Sequence, residues 1–208
     1  MKAQYRRLRY ACYSINVTMS ATSCLSPVLF LTFRSLYGIS FSLLGFLVLV
    51  NFFTQLLVDL ALSFFSHRMD LAKTVKRIPL LALVGFGVYA LLPMLFPDFA
   101  FLGLCVGTVI FSFSAGLAEV LISPVIAAIP APDPDREMSK LHSVYAWGCV
   151  AVVILGAAYL VLFGGENWYF LPLIFALIPA LSAALFWGTE IPEMEKPGRV
   201  MGDRKSVV

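Results

Sequence analysis

The residue with the most chemistry in reach is Glu119, in the stretch Ser114-Ala115-Gly116-Leu117-Ala118-Glu119-Val120-Leu121-Ile122-Ser123-Pro124. It is the only acidic residue well inside its apolar run. A carboxylate there is costly to keep charged and suits reversible protonation. The alternative is a structural pair with a cation such as His142, Arg68 or Lys140. Asn51, Gln55 and Asp59 are spaced four apart and share one helix face, with Thr54 beside it. An unsatisfied polar group in hydrocarbon costs several kcal/mol, so this stripe does not face lipid. It faces a neighbouring helix, as hydrogen-bonding glue, or lines a solute path. In Leu141-His142-Ser143-Val144-Tyr145-Ala146-Trp147-Gly148, His142 and Tyr145 share one face, and Ser143 and Trp147 another. His142 suits either an interfacial or a functional position. Trp147 suits stacking on a sugar ring or packing on a neighbouring helix. Asn16 lies in a run rich in hydroxyls: Ser14, Thr18, Ser20, Thr22, Ser23 and Ser26, ahead of Pro27. Such a run fits a slightly kinked helix lining a cavity.

Other chemistries lack their residues. There is no P-loop, no HExxH and no GxSxG. Asp59 and Glu119 alone do not make an acid/base dyad, so the chain does not read as an enzyme. Cys12, Cys24, Cys105 and Cys149 show no CxxC or Cys/His spacing and read as buried thiols. No metal and no cofactor is expected.

The elements that must position these groups are six apolar runs, at about 10–33, 41–64, 78–97, 99–124, 142–163 and 168–188. Each is long enough to cross a hydrocarbon core of roughly 30 Å as a helix. Hydrophobic residues make up 60 % of the chain and charged residues 13 %, about half the charge of a soluble domain. The basic residues alternate by loop. Lys2, Arg6, Arg7 and Arg9 precede the first run, and Arg68, Lys73, Lys76 and Arg77 follow the second. Arg136 and Lys140 follow the fourth, and Lys196, Arg199, Arg204 and Lys205 the sixth; only Arg34 lies in the opposite set. This split of 14 to 1 places both termini in the cytoplasm. The net charge of +3 is loop charge facing anionic lipid and points to no nucleic-acid partner. Pro130-Ala131-Pro132-Asp133-Pro134-Asp135 reads as a loop, and residues 191–208 as a polar cytoplasmic tail. Trp168 and Tyr169 suit an outer interface, and Tyr10, Tyr13 and Trp187 an inner one. Gly103 and Gly107 permit close helix contact. Six helices divide into three plus three of opposite orientation, an inverted repeat.

Three stretches carry a family resemblance. They are Tyr37-Gly38-Ile39-Ser40 with Leu44 to Val48 and Asn51 to Gln55; Gly116 to Glu119 with Ser123-Pro124; and Leu141 to Gly148. Together they resemble the N-terminal six-helix half of a major facilitator superfamily (MFS) transporter, of the fucose-permease type. The resemblance runs from about Ser14 to Trp187. It implies an all-α bundle and a proton-coupled or facilitated carrier working by alternating access, and it matches Glu119 to a functional acid. Ser23 stands where fucose permeases carry an acid in the first helix. In the loop after the second helix, Arg68 keeps one basic position of the family's Gly-x3-Asp-Arg/Lys-x-Gly-x-Arg/Lys gate, while Ser63, His67, Asp70 and Ala72 stand where the pattern has Gly, Asp, Gly and Arg/Lys.

The expected function is secondary-active transport of a small polar solute, such as a sugar, together with protons. The expected setting is the bacterial cytoplasmic (inner) membrane. Asn16, Asn51, Gln55, Glu119, Tyr145 and Trp147 line the path; Asp59, Arg68 and His142 form a cytoplasmic gate. The family has twelve helices, so a second six-helix bundle from another copy or chain is expected as a partner. The other reading is a truncated remnant that does not transport and at most associates with other membrane proteins.

Overall fold

The computed structural model describes residues 3–192 and 194. Apart from residues 191, 192 and 194, the polar tail lies outside the described residues, as do Lys2 and the four basic residues of the tail. The described residues form helices and connecting turns, with no strand among them. Five helices are long and apolar enough to cross a membrane, in a multi-pass, all-α membrane protein. They are α1 (Ala3–Tyr37), α2 (Phe41–Phe65), α3 (Leu71–Leu95), α4 (Ala100–Ala128) and α5 (Pro134–Phe163). Two shorter helices, α6 (Phe170–Phe175) and α7 (Leu177–Phe186), follow end to end.

Several helices extend past their apolar runs. Helix α1 begins at Ala3, and α3 begins at Leu71, where the Asp70 side chain accepts the Lys73 N–H at 3.0 Å. That N–H and the Lys73 ammonium hold the Asp70 carboxyl below its ordinary range. Helix α5 starts inside the proline-rich loop. Asp133 caps it through the Arg136 N–H at 3.0 Å, and Pro134 sits in the first turn, where a missing N–H costs nothing. The sixth apolar run becomes two helices for a local reason. Pro179 has no N–H to offer the Phe175 carbonyl, and the chain steps at Ala176.

In α1 the hydroxyls bond back to the helix: Thr18 to the Ser14 carbonyl, Ser20 to Asn16 and Thr22 to Met19. This satisfies them without water and leaves α1 continuous through Pro27. Helices α1 and α4 are central; α1 packs on α5, α7 and α4, while α4 packs on α3 and α2. Helices α2 and α5 are the least buried of the spans.

Two cores stack along the bundle. One gathers Leu8, Ile15, Leu62, Val75, Leu121 and Phe186. The other holds Phe33, Phe86, Tyr89, Phe111 and Trp168. Trp168 is only 1 % exposed and meets Phe33 edge-on at 4.9 Å. Its indole N–H donates to the Tyr37 hydroxyl at 3.2 Å. It is a core residue, which accounts for its polar end differently from the interfacial anchoring its sequence position suggests. Arg34 is held at this same end, 4.3 Å over the Phe41 ring.

At the opposite end Arg7 donates to the Ala184 carbonyl, so the start of α1 and the end of α7 lie together. There Glu137 on α5 accepts from Tyr13 at 3.0 Å and pairs with Arg9 at 3.0 Å and Lys140 at 2.7 Å. The Arg9 and Glu137 side chains are 14 % and 11 % exposed. Removing one partner of such a pair strands the other charge. Glu137→Gln is expected to cost about 3 kcal/mol, and Lys140→Gln, whose side chain is half exposed, under about 1 kcal/mol. Thermal unfolding of the detergent-solubilised chain checks this; equal melting of the two variants refutes it.

Candidate functional site

Four helices line a partly open cavity of about 400 Å3 in the half of the bundle nearer the N-terminal end of α1. Helix α1 contributes Asn16, Met19 and Ser23, and α2 contributes Phe52, Gln55, Leu56 and Asp59. Helix α4 supplies Ala118, Glu119 and Ser123, and α5 supplies His142 and Tyr145. Glu119 and His142 are exposed, Asp59 and Tyr145 are partly buried, and Asn16 and Gln55 are buried. The four-residue spacing of Gln55 and Asp59 puts both on the cavity wall, and a helix of 3.6 residues per turn requires that.

Glycines let the walls close. A β-carbon at Gly116 of α4 would lie 2.9 Å from Val58 Cβ of α2, and one at Gly148 of α5 only 2.5 Å from Ser20 Oγ of α1. The α1–α5 seam is sealed by polar bonds. The Asn16 side-chain amide donates to the Leu141 carbonyl at 2.9 Å, Ser20 donates to the Tyr145 carbonyl at 2.8 Å, and the Tyr145 hydroxyl donates to Ser23 at 3.4 Å. These bonds hold Asn16 and Tyr145 at the wall and consume part of their capacity.

Of the residues singled out in sequence, Asn16, Gln55, Asp59, Glu119, His142 and Tyr145 meet in this cavity. Asn51 lies behind it. Its Oδ1 accepts from Gln55 Nε2 at 3.0 Å and from the Ser112 hydroxyl, which fixes the Gln55 amide. Trp147 is 73 % exposed on the flank of α5, and Arg68 ends the short 3-10 turn Ser66–Arg68; neither lines the cavity. Lys140, one of the cations considered for Glu119, is bound to Glu137.

Sequence reasoning missed Ser112 and Glu137. Ser112 could have been found as a hydroxyl in an apolar run; Glu137 lies in a polar stretch that gave no sign of being buried. Asn51→Leu removes the acceptor of two buried donors and is expected to destabilise the chain by about 2 kcal/mol, against about 1 kcal/mol or less for Ser112→Ala. Melting curves in detergent check the order of the two.

No family model matches this chain, and no curated protein matches it by sequence. Its fold is that of part of an MFS transporter. The solved structure of the MFS proton:xylose symporter XylE, bound to 6-bromo-6-deoxy-D-glucose, superposes with a TM-score of 0.76 at 15 % identity. The match covers 91 % of this chain and 46 % of that one. The chain thus spans about half the length of the structure it resembles.

Proposed function

We propose that this bundle is one half of a secondary-active carrier of the MFS kind, moving a small polar solute such as a sugar together with protons. The observation that carries the reading is the cavity itself, where buried amides and two carboxylates converge among apolar helices. Intramembrane carboxylates and amides are expensive, and a wetted solute path is the common reason to keep them. In this reading Asn16, Gln55 and Tyr145 contact the solute, Asn51 orients Gln55, and Glu119 takes up the proton or the solute. Asp59, His142 and Arg68 work at the gate on the α2–α3 side. Trp147 faces a second six-helix bundle, supplied by another copy or another chain.

Three further features support this plan. The helix contacts keep their pattern when α1–α3 are exchanged with α4–α7: α1 packs on α5 as α4 packs on α2, and α1 packs on α7 as α4 packs on α3. An inverted three-plus-three repeat predicts that pattern. Among the described residues, the Lys and Arg side chains other than Arg34 lie on segments at one end of the bundle, which by the positive-inside rule is cytoplasmic, in a bacterial inner membrane in our reading. The structural neighbour is a proton:xylose symporter.

Counterflow in proteoliposomes tests the function. Vesicles loaded with unlabelled D-xylose or D-glucose should take up the labelled sugar transiently above its external level, beyond protein-free liposomes. Protein-containing vesicles that match the protein-free ones for both sugars refute the sugar-carrier reading and favour a bundle without transport.

A further inference from the structure

Two cysteines meet across the α1–α5 seam, and the register of the seam places them. Asn16 bonds the Leu141 carbonyl at 2.9 Å, and Ser20 bonds the Tyr145 carbonyl at 2.8 Å. Both partners advance by four residues, so the two helices run parallel here. One further turn brings Cys24 opposite Cys149. The two thiols interact with one another, and the Tyr145 side chain interacts with both. The backbones are close at this level. A β-carbon at Gly148 would lie 2.5 Å from Ser20 Oγ and 3.5 Å from Val17 Cα. A disulfide requires such an approach, with its Cα atoms within roughly 7 Å. Cys24 and Cys149 are partly exposed, whereas Cys12 is buried. Their neighbours Ser23 and Tyr145 line the partly open cavity, which gives a small molecule a way in. Both cysteines lie within apolar runs, so the oxidant that meets them there is a lipid-soluble one.

We propose that Cys24 and Cys149 form a redox site that a lipid hydroperoxide converts to a disulfide. One thiol attacks the peroxide, the O–O bond breaks, a sulfenic acid forms and the alcohol leaves. The second thiol attacks that sulfur, the S–S bond forms and water leaves. Two thiols and one hydroperoxide thus give one disulfide, one alcohol and one water, with two electrons passing from sulfur to the peroxide. A thiol reductant restores the pair by exchange. The bridge clamps α1 to α5 beside Ser23 and Tyr145 and fixes the cavity wall at that level.

Cumene hydroperoxide on the full chain in lipid nanodiscs tests this. The oxidant is removed, the chain is denatured in SDS, and N-ethylmaleimide adducts are counted by intact mass. In the wild type they should fall from four to two and return to four after dithiothreitol. Cys24→Ser and Cys149→Ser should each keep every remaining thiol. A Cys12→Ala/Cys105→Ala double variant should still lose both of its thiols. A wild type that keeps four adducts overturns the proposal. So does a single variant that loses two, or a loss that dithiothreitol does not reverse. The clamp has its own reading: the oxidised wild type should melt higher than the reduced one, and Cys24→Ser should show no such shift. Equal melting of the two wild-type forms overturns the clamp.

Discussion

Replacing Glu119 by Gln should slow solute counterflow by roughly tenfold or more while leaving the fold unchanged. Tenfold corresponds to ~1.4 kcal/mol, close to the lower limit for one hydrogen bond to a charged group. The side chain lies at the open edge of the cavity, on a helix whose packing uses other faces: Gly116 against Val58, and Leu117 and Leu121 within the core. Gln keeps its volume and loses its charge. A purely structural Glu119 would move the melting temperature and leave the rate per folded molecule alone. A functional one does the opposite. Uptake at wild-type rate by the Gln variant removes Glu119 from the mechanism.

The second large effect concerns the α3–α4 contact. A β-carbon at Gly107 would lie 2.5 Å from the Tyr89 Cα, and one at Gly85 would lie 2.6 Å from the Phe111 backbone nitrogen. Backbone cannot swing aside, so the two helices must part. Tyr89 also bonds Ser26 at 2.9 Å and packs on Phe111 at 5.4 Å, so the displacement spreads into the aromatic core. Gly107→Val should therefore cost about 3 kcal/mol. Gly87→Ala is the matched control, because a β-carbon there meets nothing within 4 Å. The reading is thermal melting and the yield of monodisperse protein; Gly107→Val melting with Gly87→Ala contradicts the close packing.

Much of this arrangement is legible in the sequence, because a bilayer imposes strict rules. Helices must be long, polar groups must be satisfied, and basic loops sort to one side. Hence the stripe of Gln55 and Asp59 and the isolated Glu119 could be placed on an interior face by spacing alone, and both reach the cavity. Gly107, read as a small residue for close contact, makes one. What could not be read is which interior face each residue takes. Asn51 shares the stripe of Gln55, yet it turns to Ser112 of α4, and nothing local distinguishes the two amides. Trp147 lies two residues from Tyr145, about 200° around the helix, and so points away from the cavity. The helix ends were equally hidden: apolar runs mark hydrocarbon, while caps such as Asp70 and Asp133 set where helices start. Glu137 escaped notice because two of its three partners, Arg9 and Tyr13, come from α1, far away in sequence.

The central claim is that this cavity is part of a path opened to each side of the membrane in turn. Ser123 lines it and is partly buried. In a chain whose four cysteines are replaced by serine or alanine, Ser123→Cys is placed in sealed vesicles and treated with a membrane-impermeant maleimide added outside or trapped inside. Labelling from both sides, in separate experiments on vesicles of one orientation, is the predicted result. Labelling from one side only, or from neither, contradicts alternating access through this cavity.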